Sequence, residues 1–127
     1  MKRFIQVSLA ILMVAAMTCV AYARYTNILR FKISGNIGST SVSSTVNVQL
    51  NERLDSKVVI KLERSSDNGG SFQSYSTLKT YTSSLDRYNF DVNKSGLSSA
   101  YDYRVKAALY VYDDAGNEIE YDCNYLD

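Results

Sequence analysis

Gly96–Gly116 reads GLSSAYDYRVKAALYVYDDAG, and its alternation decides the fold. Tyr101, Tyr103, Val105, Ala107, Leu109 and Val111 fall on one parity, while Asp102, Arg104, Lys106, Ala108, Tyr110 and Tyr112 fall on the other. Because successive side chains of a strand point to opposite faces, the first set is expected to face a core and the second to face water. Asp114-Ala115-Gly116 then reads as a three-residue hairpin loop, with Gly116 in the left-handed conformation. The register this loop sets places Tyr112 opposite Glu118, Val111 opposite Ile119, Tyr110 opposite Glu120, Leu109 opposite Tyr121 and Ala107 opposite Cys123. Apolar then meets apolar, which puts Ile119, Tyr121 and Cys123 inside.

The same period of two recurs in both directions from this hairpin. Val42, Val46, Val48 and Leu50 share a parity, as do Val58, Ile60 and Leu62, then Tyr88, Phe90 and Val92. Between them stand Ser43, Asn47 and Gln49, then Lys57, Lys61 and Glu63, then Arg87, Asn89 and Asp91, so each strand has one wet face. That pattern belongs to antiparallel sheets that bury one side each. Breaks fall at Ser34–Ser39, at Asn93–Ser99 and at Ser65–Ser71, where Asn68-Gly69 supplies two residues tolerant of positive φ. About seven strands are expected, near 27–34, 40–51, 57–64, 71–82, 86–92, 101–112 and 117–124. The fold class is therefore all-β, an antiparallel two-sheet sandwich.

Ahead of these strands lies MKRFIQVSLAILMVAAMTCVAYA, with Lys2 and Arg3, an apolar run and Ala21-Tyr22-Ala23. This is the layout of a secretory signal peptide helix, with cleavage after Ala23. Its apolar run is shorter than the roughly 20 residues of a spanning helix, although an uncleaved anchor is the alternative. Residues 1–23 are read as signal peptide and 24–127 as one sandwich domain, secreted and without a membrane anchor once cleaved. Losing Lys2 and Arg3 with the leader takes the basic residues from 14 to 12, against 13 acidic ones. A chain of net charge −1 has no electrostatic drive towards phosphate backbones, and nucleic acid drops out as a partner. Of two cysteines, Cys19 lies in the leader, which leaves Cys123 alone and a monomer favoured over a covalent dimer.

With the strands placed, Leu97-Ser-Ser-Ala-Tyr-Asp-Tyr103-Arg-Val105-Lys-Ala107 resembles the sixth strand of fibronectin type III domains, where a Leu stands six positions before a Tyr. The resemblance gives Tyr103 the role of a corner tyrosine whose hydroxyl returns to the preceding loop, with Leu97 beside it. Val58–Phe72, VVIKLERSSDNGGSF, is similar to the central hairpin of such domains. Together these segments cover Lys57 to Asn117. The resemblance implies a fibronectin type III-like or immunoglobulin-like sandwich, of the kind found in small secreted proteins of Gram-positive bacteria. The chain departs from that family in having neither Trp nor Pro, and Val46 or Val48 stands where its second-strand Trp belongs. The family itself carries no particular activity.

Chemistry is restricted first by the absence of histidine, which removes Ser-His-Asp and Cys-His catalysis and the commonest metal ligand. Glu118 and Glu120, two apart on a strand, are expected about 6.5 to 7 Å apart on one face, a spacing that suits a glycosidase pair. Alternating acids also serve to keep an edge strand soluble, and the chain is read as no enzyme. Asp113, Asp114, Asn117 and Glu118 offer oxygen ligands for calcium, but DDAGNE lacks the alternating spacing of a calcium loop, and these are also ordinary turn residues. No cofactor or metal is expected.

Ten of the eleven tyrosines lie beyond the leader. Tyr110 and Tyr112, facing out beside Lys106, Glu118 and Glu120, form a candidate recognition patch, because tyrosine offers rigid contact area with a polar tip. Tyrosines also pair across strands without any ligand. The expected function is a secreted, non-catalytic binding or adhesion module for a protein or polysaccharide of a cell envelope or host surface. A secreted bacteriocin-like or toxin-like effector is the alternative.

Overall fold

The computed structural model describes residues 26–127; the leader expected at 1–23 lies outside them. Seven strands follow in order: β1 (Ile28–Ile37), β2 (Val42–Leu50), β3 (Asp55–Ser65), β4 (Gln73–Ser83), β5 (Arg87–Lys94), β6 (Asp102–Tyr112) and β7 (Glu118–Leu126). They form two antiparallel sheets, one in the order β1-β2-β5 and the other β4-β3-β6-β7. The domain is a β-sandwich.

The alternating apolar sets meet between the sheets. Val46, Val48, Val58, Ile60, Leu62, Val105, Ala107, Leu109 and Val111 are all but inaccessible, and each large one among them stabilises the fold by about 1.5–3 kcal/mol through burial. One flank is closed by aromatic rings. Tyr81 from the edge strand β4 stacks on Phe90 at 4.5 Å and on Tyr88 at 5.4 Å, both from the facing edge strand β5. Offset stacking suits such nearly parallel rings. Beneath them the Tyr88 hydroxyl meets Ser56 Oγ at 2.6 Å, which satisfies two buried polar groups at once.

The turns follow from local chemistry. Gly70 N–H bonds Asp67 C=O around Asn68 and Gly69, both at positive φ, at the tip of the β3–β4 connection. Asp67 also accepts hydrogen bonds from Ser65 Oγ and from the Ser71 N–H and Oγ, and these donors lower its pKa to about 2. Between β6 and β7, Asp113 N–H bonds Asn117 C=O, and Gly116 takes a φ of 83°. Ahead of β6, Leu97 N–H reaches Thr40 C=O, and the Tyr103 hydroxyl donates to Ser98 C=O at 2.8 Å.

Two readings of the sequence need correction. The break expected at Ser34–Ser39 is narrower, since β1 runs on through Gly35 to Ile37 and the turn is closed by Gly38 N–H to Ser41 C=O. The register of β7 differs more. Tyr112 does face Glu118, but a bulge follows, and Val111 then faces Glu120, Tyr110 faces Tyr121, and Ala108 faces Cys123. Ile119 is the extra residue; it is 43% exposed, while Glu120 turns inward. The physical reason lies in β1. That strand is the edge of its sheet, and backbone groups on it and on Asn27 just before it need partners beside the core. The Glu120 carboxylate accepts the Asn27 N–H at 3.0 Å, and Asn124 Nδ2 donates to Phe31 C=O at 2.8 Å. An apolar inner face on β7 would have left both groups unanswered.

Candidate functional site

The outer face of the four-stranded sheet carries a group of aromatic and cationic side chains, and the pairing of its strands orders them in rows. One row crosses all four strands as Tyr121, Tyr110, Lys57 and Thr82. Beside it, towards the β6–β7 loop, run Glu118, Tyr112 and Asp55. On its other side a row of smaller residues follows, Cys123, Ala108, Val59 and Thr80, and beyond that Tyr125, Lys106, Lys61 and Thr77.

Within the first row the contacts are aromatic and cationic. The Tyr110 and Tyr121 rings lie 5.1 Å apart at a 58° tilt, and Lys57 Nζ stands 4.9 Å from the Tyr110 centroid and 6.0 Å from that of Tyr112. An ammonium over ring faces is held by the negative potential of the rings. Tyr121 is pushed up to about 12, first by burial and then by its neighbours Cys123, Tyr110 and Tyr125. Tyr121 therefore presents a neutral hydroxyl tip at neutral pH.

A second cluster lies towards the opposite end of the same face. Arg104 places its guanidinium between Phe72 and Tyr125, 4.4 and 4.3 Å from the ring centroids, and its Nε donates to Glu63 Oε1 at 2.6 Å. Arg64 does not share this face: it pairs with the buried Tyr103 on the inward parity of β3 and is sandwiched between Tyr75 and Tyr101, at 4.0 and 4.2 Å, at the end of the sandwich. Planar guanidinium groups stack in this way as lysine does not.

The residues singled out from the sequence divide. Tyr110, Tyr112 and Glu118 stand together at one end of this face, and Lys106 is two rows away beside Tyr125. Glu120 is not among them: it is 9% exposed, points to the interior and is bonded to Asn27. Glu118 and Glu120 consequently share no face, and the spacing expected for a carboxylate pair is not formed. Tyr121 leaves the core for this face, and Cys123 sits half-buried opposite Ala108 rather than inside opposite Ala107. Asp113 Oδ1 accepts the N–H groups of Ala115 and Asn117, a loop-closing role, while Asp114 is exposed. Among the described residues no three His, Cys, Asp or Glu side chains converge in a metal-holding group. Sequence reading passed over Lys57, Phe72, Arg104 and Tyr125. Lys57 was within reach, since it shares the wet parity of β3, but its row partners follow only from the pairing of β3 with β6.

A cavity of about 580 Å³ opens where β3, β4 and β6 meet at the Tyr112 end of this face, walled by Asp55, Lys57, Thr82, Ser83, Ser84 and Tyr112. On the opposite sheet a smaller hollow of about 310 Å³ lies over the row Arg30, Gln49 and Arg87.

No protein-family model matches the chain, and no curated protein matches it in sequence. Among solved structures, one that is similar is the crystal structure of a β-glucosidase from Kluyveromyces marxianus, at 8% identity and a TM-score of 0.36. The match covers 76% of this chain, which spans 14% of that protein's length. At those values neither fold nor activity is carried across.

Proposed function

We propose that the chain is a secreted, non-catalytic binding module that recognises a polysaccharide or protein of a cell envelope or host surface, built on a fibronectin type III-like sandwich. The observation that carries the reading is the row Tyr121, Tyr110 and Lys57, with Tyr112 beside it, set on the outer face of a rigid sheet. Aromatic rings already fixed by their neighbours lose little conformational freedom on contact, which is what a recognition surface needs. Strand order favours the fibronectin type III alternative over the constant-type immunoglobulin one. In the latter the fourth strand pairs with the fifth, whereas here β4 pairs with β3. The hydrogen bond from Tyr103 to Ser98 is the tyrosine corner that both kinds of sandwich share, and it supports the sandwich without choosing between them. Export rests on the leader-like residues 1–23.

Retention of the protein on purified cell envelopes tests the function. The parent chain is expected to be retained, and a Tyr110→Ala, Tyr112→Ala variant with an unchanged unfolding midpoint is expected to be lost. Equal retention of the two proteins would remove the tyrosine row from the binding surface.

A further inference from the structure

We infer that the cavity beside Tyr112 is a subsite for one neutral pyranose unit of a polysaccharide; this deepens the binding-module reading and rests on it. The volume of about 580 Å³ falls in the range of small-molecule sites. Its walls carry hydrogen-bond acceptors, donors and one aromatic ring, the groups that can hold a polyhydroxylated ring.

Asp55 supplies acceptors. Ser84 Oγ donates to its Oδ1 at 2.8 Å, which fixes the carboxylate and leaves Oδ2 to receive a sugar hydroxyl. Lys57 supplies donors. Its ammonium makes no ion pair among the described residues and is held over the rings of Tyr110 and Tyr112, so its N–H groups are open to hydroxyl oxygens. Thr82, exposed on the opposite wall, gives a hydroxyl that both donates and accepts. Tyr112 provides the one aromatic face of the cavity, where the C–H side of a pyranose meets the negative π cloud.

The same lining disfavours other ligands. A phosphate or carboxylate would gain the Lys57 ammonium but meet the Asp55 carboxylate in the cavity and Glu118 beside Tyr112. An apolar peptide side chain would find hydroxyl walls and a single ring, and would strip water from polar groups without replacing their bonds. One acid, one base and several hydroxyls match a ligand that is itself uncharged and rich in hydroxyls.

The test is an amide-resolved NMR titration of the full chain with three neutral probes at millimolar concentration: maltohexaose, cellohexaose and chitohexaose. Saturable shifts at Asp55, Lys57, Thr82 and Tyr112 with at least one probe are expected. Asp55→Asn should then weaken binding about tenfold, because a charged acceptor is lost, and Thr82→Val should weaken it by a smaller factor without altering the fold. Absence of saturable shifts at these amides with all three probes, while the parent still binds envelopes and the Tyr110→Ala, Tyr112→Ala variant does not, overturns the sugar subsite and leaves the tyrosine surface standing. Absence of both shifts and envelope retention removes the two together. Saturable shifts confined to Arg30, Gln49 and Arg87 would also overturn the assignment, since the sugar would then sit on the other sheet.

Discussion

Gly35 sits inside β1 opposite Ser44, at a φ of 145° that side-chain-bearing residues rarely adopt. A Cβ built there would stand 2.0 Å from the Ser43 carbonyl oxygen, and that oxygen belongs to the backbone of the neighbouring strand, which cannot swing aside. Gly35→Ala is accordingly expected to destabilise the domain by about 3 kcal/mol, combining the strained dihedral with displacement of β2. A shift in urea midpoint at constant slope would register this loss. Gly116→Ala makes the comparison, since its Cβ meets nothing within 4 Å and only the φ of 83° is penalised. In the sequence Gly35 reads as half of a turn signal, because a glycine needed for close approach and a glycine needed for a bend look alike until the strand beside it is placed.

At the scale of elements, β2, β3 and β5 were legible from their own residues. Each buries one parity against the opposing sheet, and alternation is the direct record of such burial. β7 was legible as a strand but not in its register, and the reason is physical. Ile119, Tyr121 and Cys123 share an apolar parity, yet the edge backbone of β1 asks β7 for hydrogen bonds, and the bulge at Ile119 is how β7 supplies them. The demand arises 93 residues away in sequence, where no inspection of β7 discloses it. Glu120→Ala, which leaves the Asn27 N–H without its acceptor, should cost about 1–3 kcal/mol, while Glu120→Gln should lose less because an amide oxygen can still accept. Faster hydrogen exchange at Asn27 in the alanine variant alone would locate the effect. The candidate site was read to a similar depth. Tyr110 and Tyr112 were placed on the outer face by parity, whereas Lys57, Arg104, Phe72 and Tyr125 joined them only once strand pairing was known.

For the molecule as a whole, titration marks two limits of stability. Asp67, depressed from 3.8 to about 2, favours the folded state above its unfolded value, and that contribution is lost as pH falls through about 2. Tyr121, raised from 10.0 to about 12, favours the fold while neutral, so its contribution is present below about pH 10 and lost as pH rises through about 12. Thermal midpoints measured across pH should show a plateau between these limits. Asp67→Asn is expected to flatten the acid limb, and Tyr121→Phe the alkaline one, with a phenol absorbance step near pH 12 missing from the latter. Persistence of that step in Tyr121→Phe would assign it to another tyrosine.

The bonds from Glu120 and Asn124 to Asn27 and Phe31 also set an order of events. They fasten the first strand with the last, so that a chain delivered from its amino end has nothing to close its open flank until the final ten or so residues arrive. Contacts this distant in sequence form late and slowly. A sandwich fastened in this way stays open along its β1 flank until β7 docks, so its two sheets lock together in one late step.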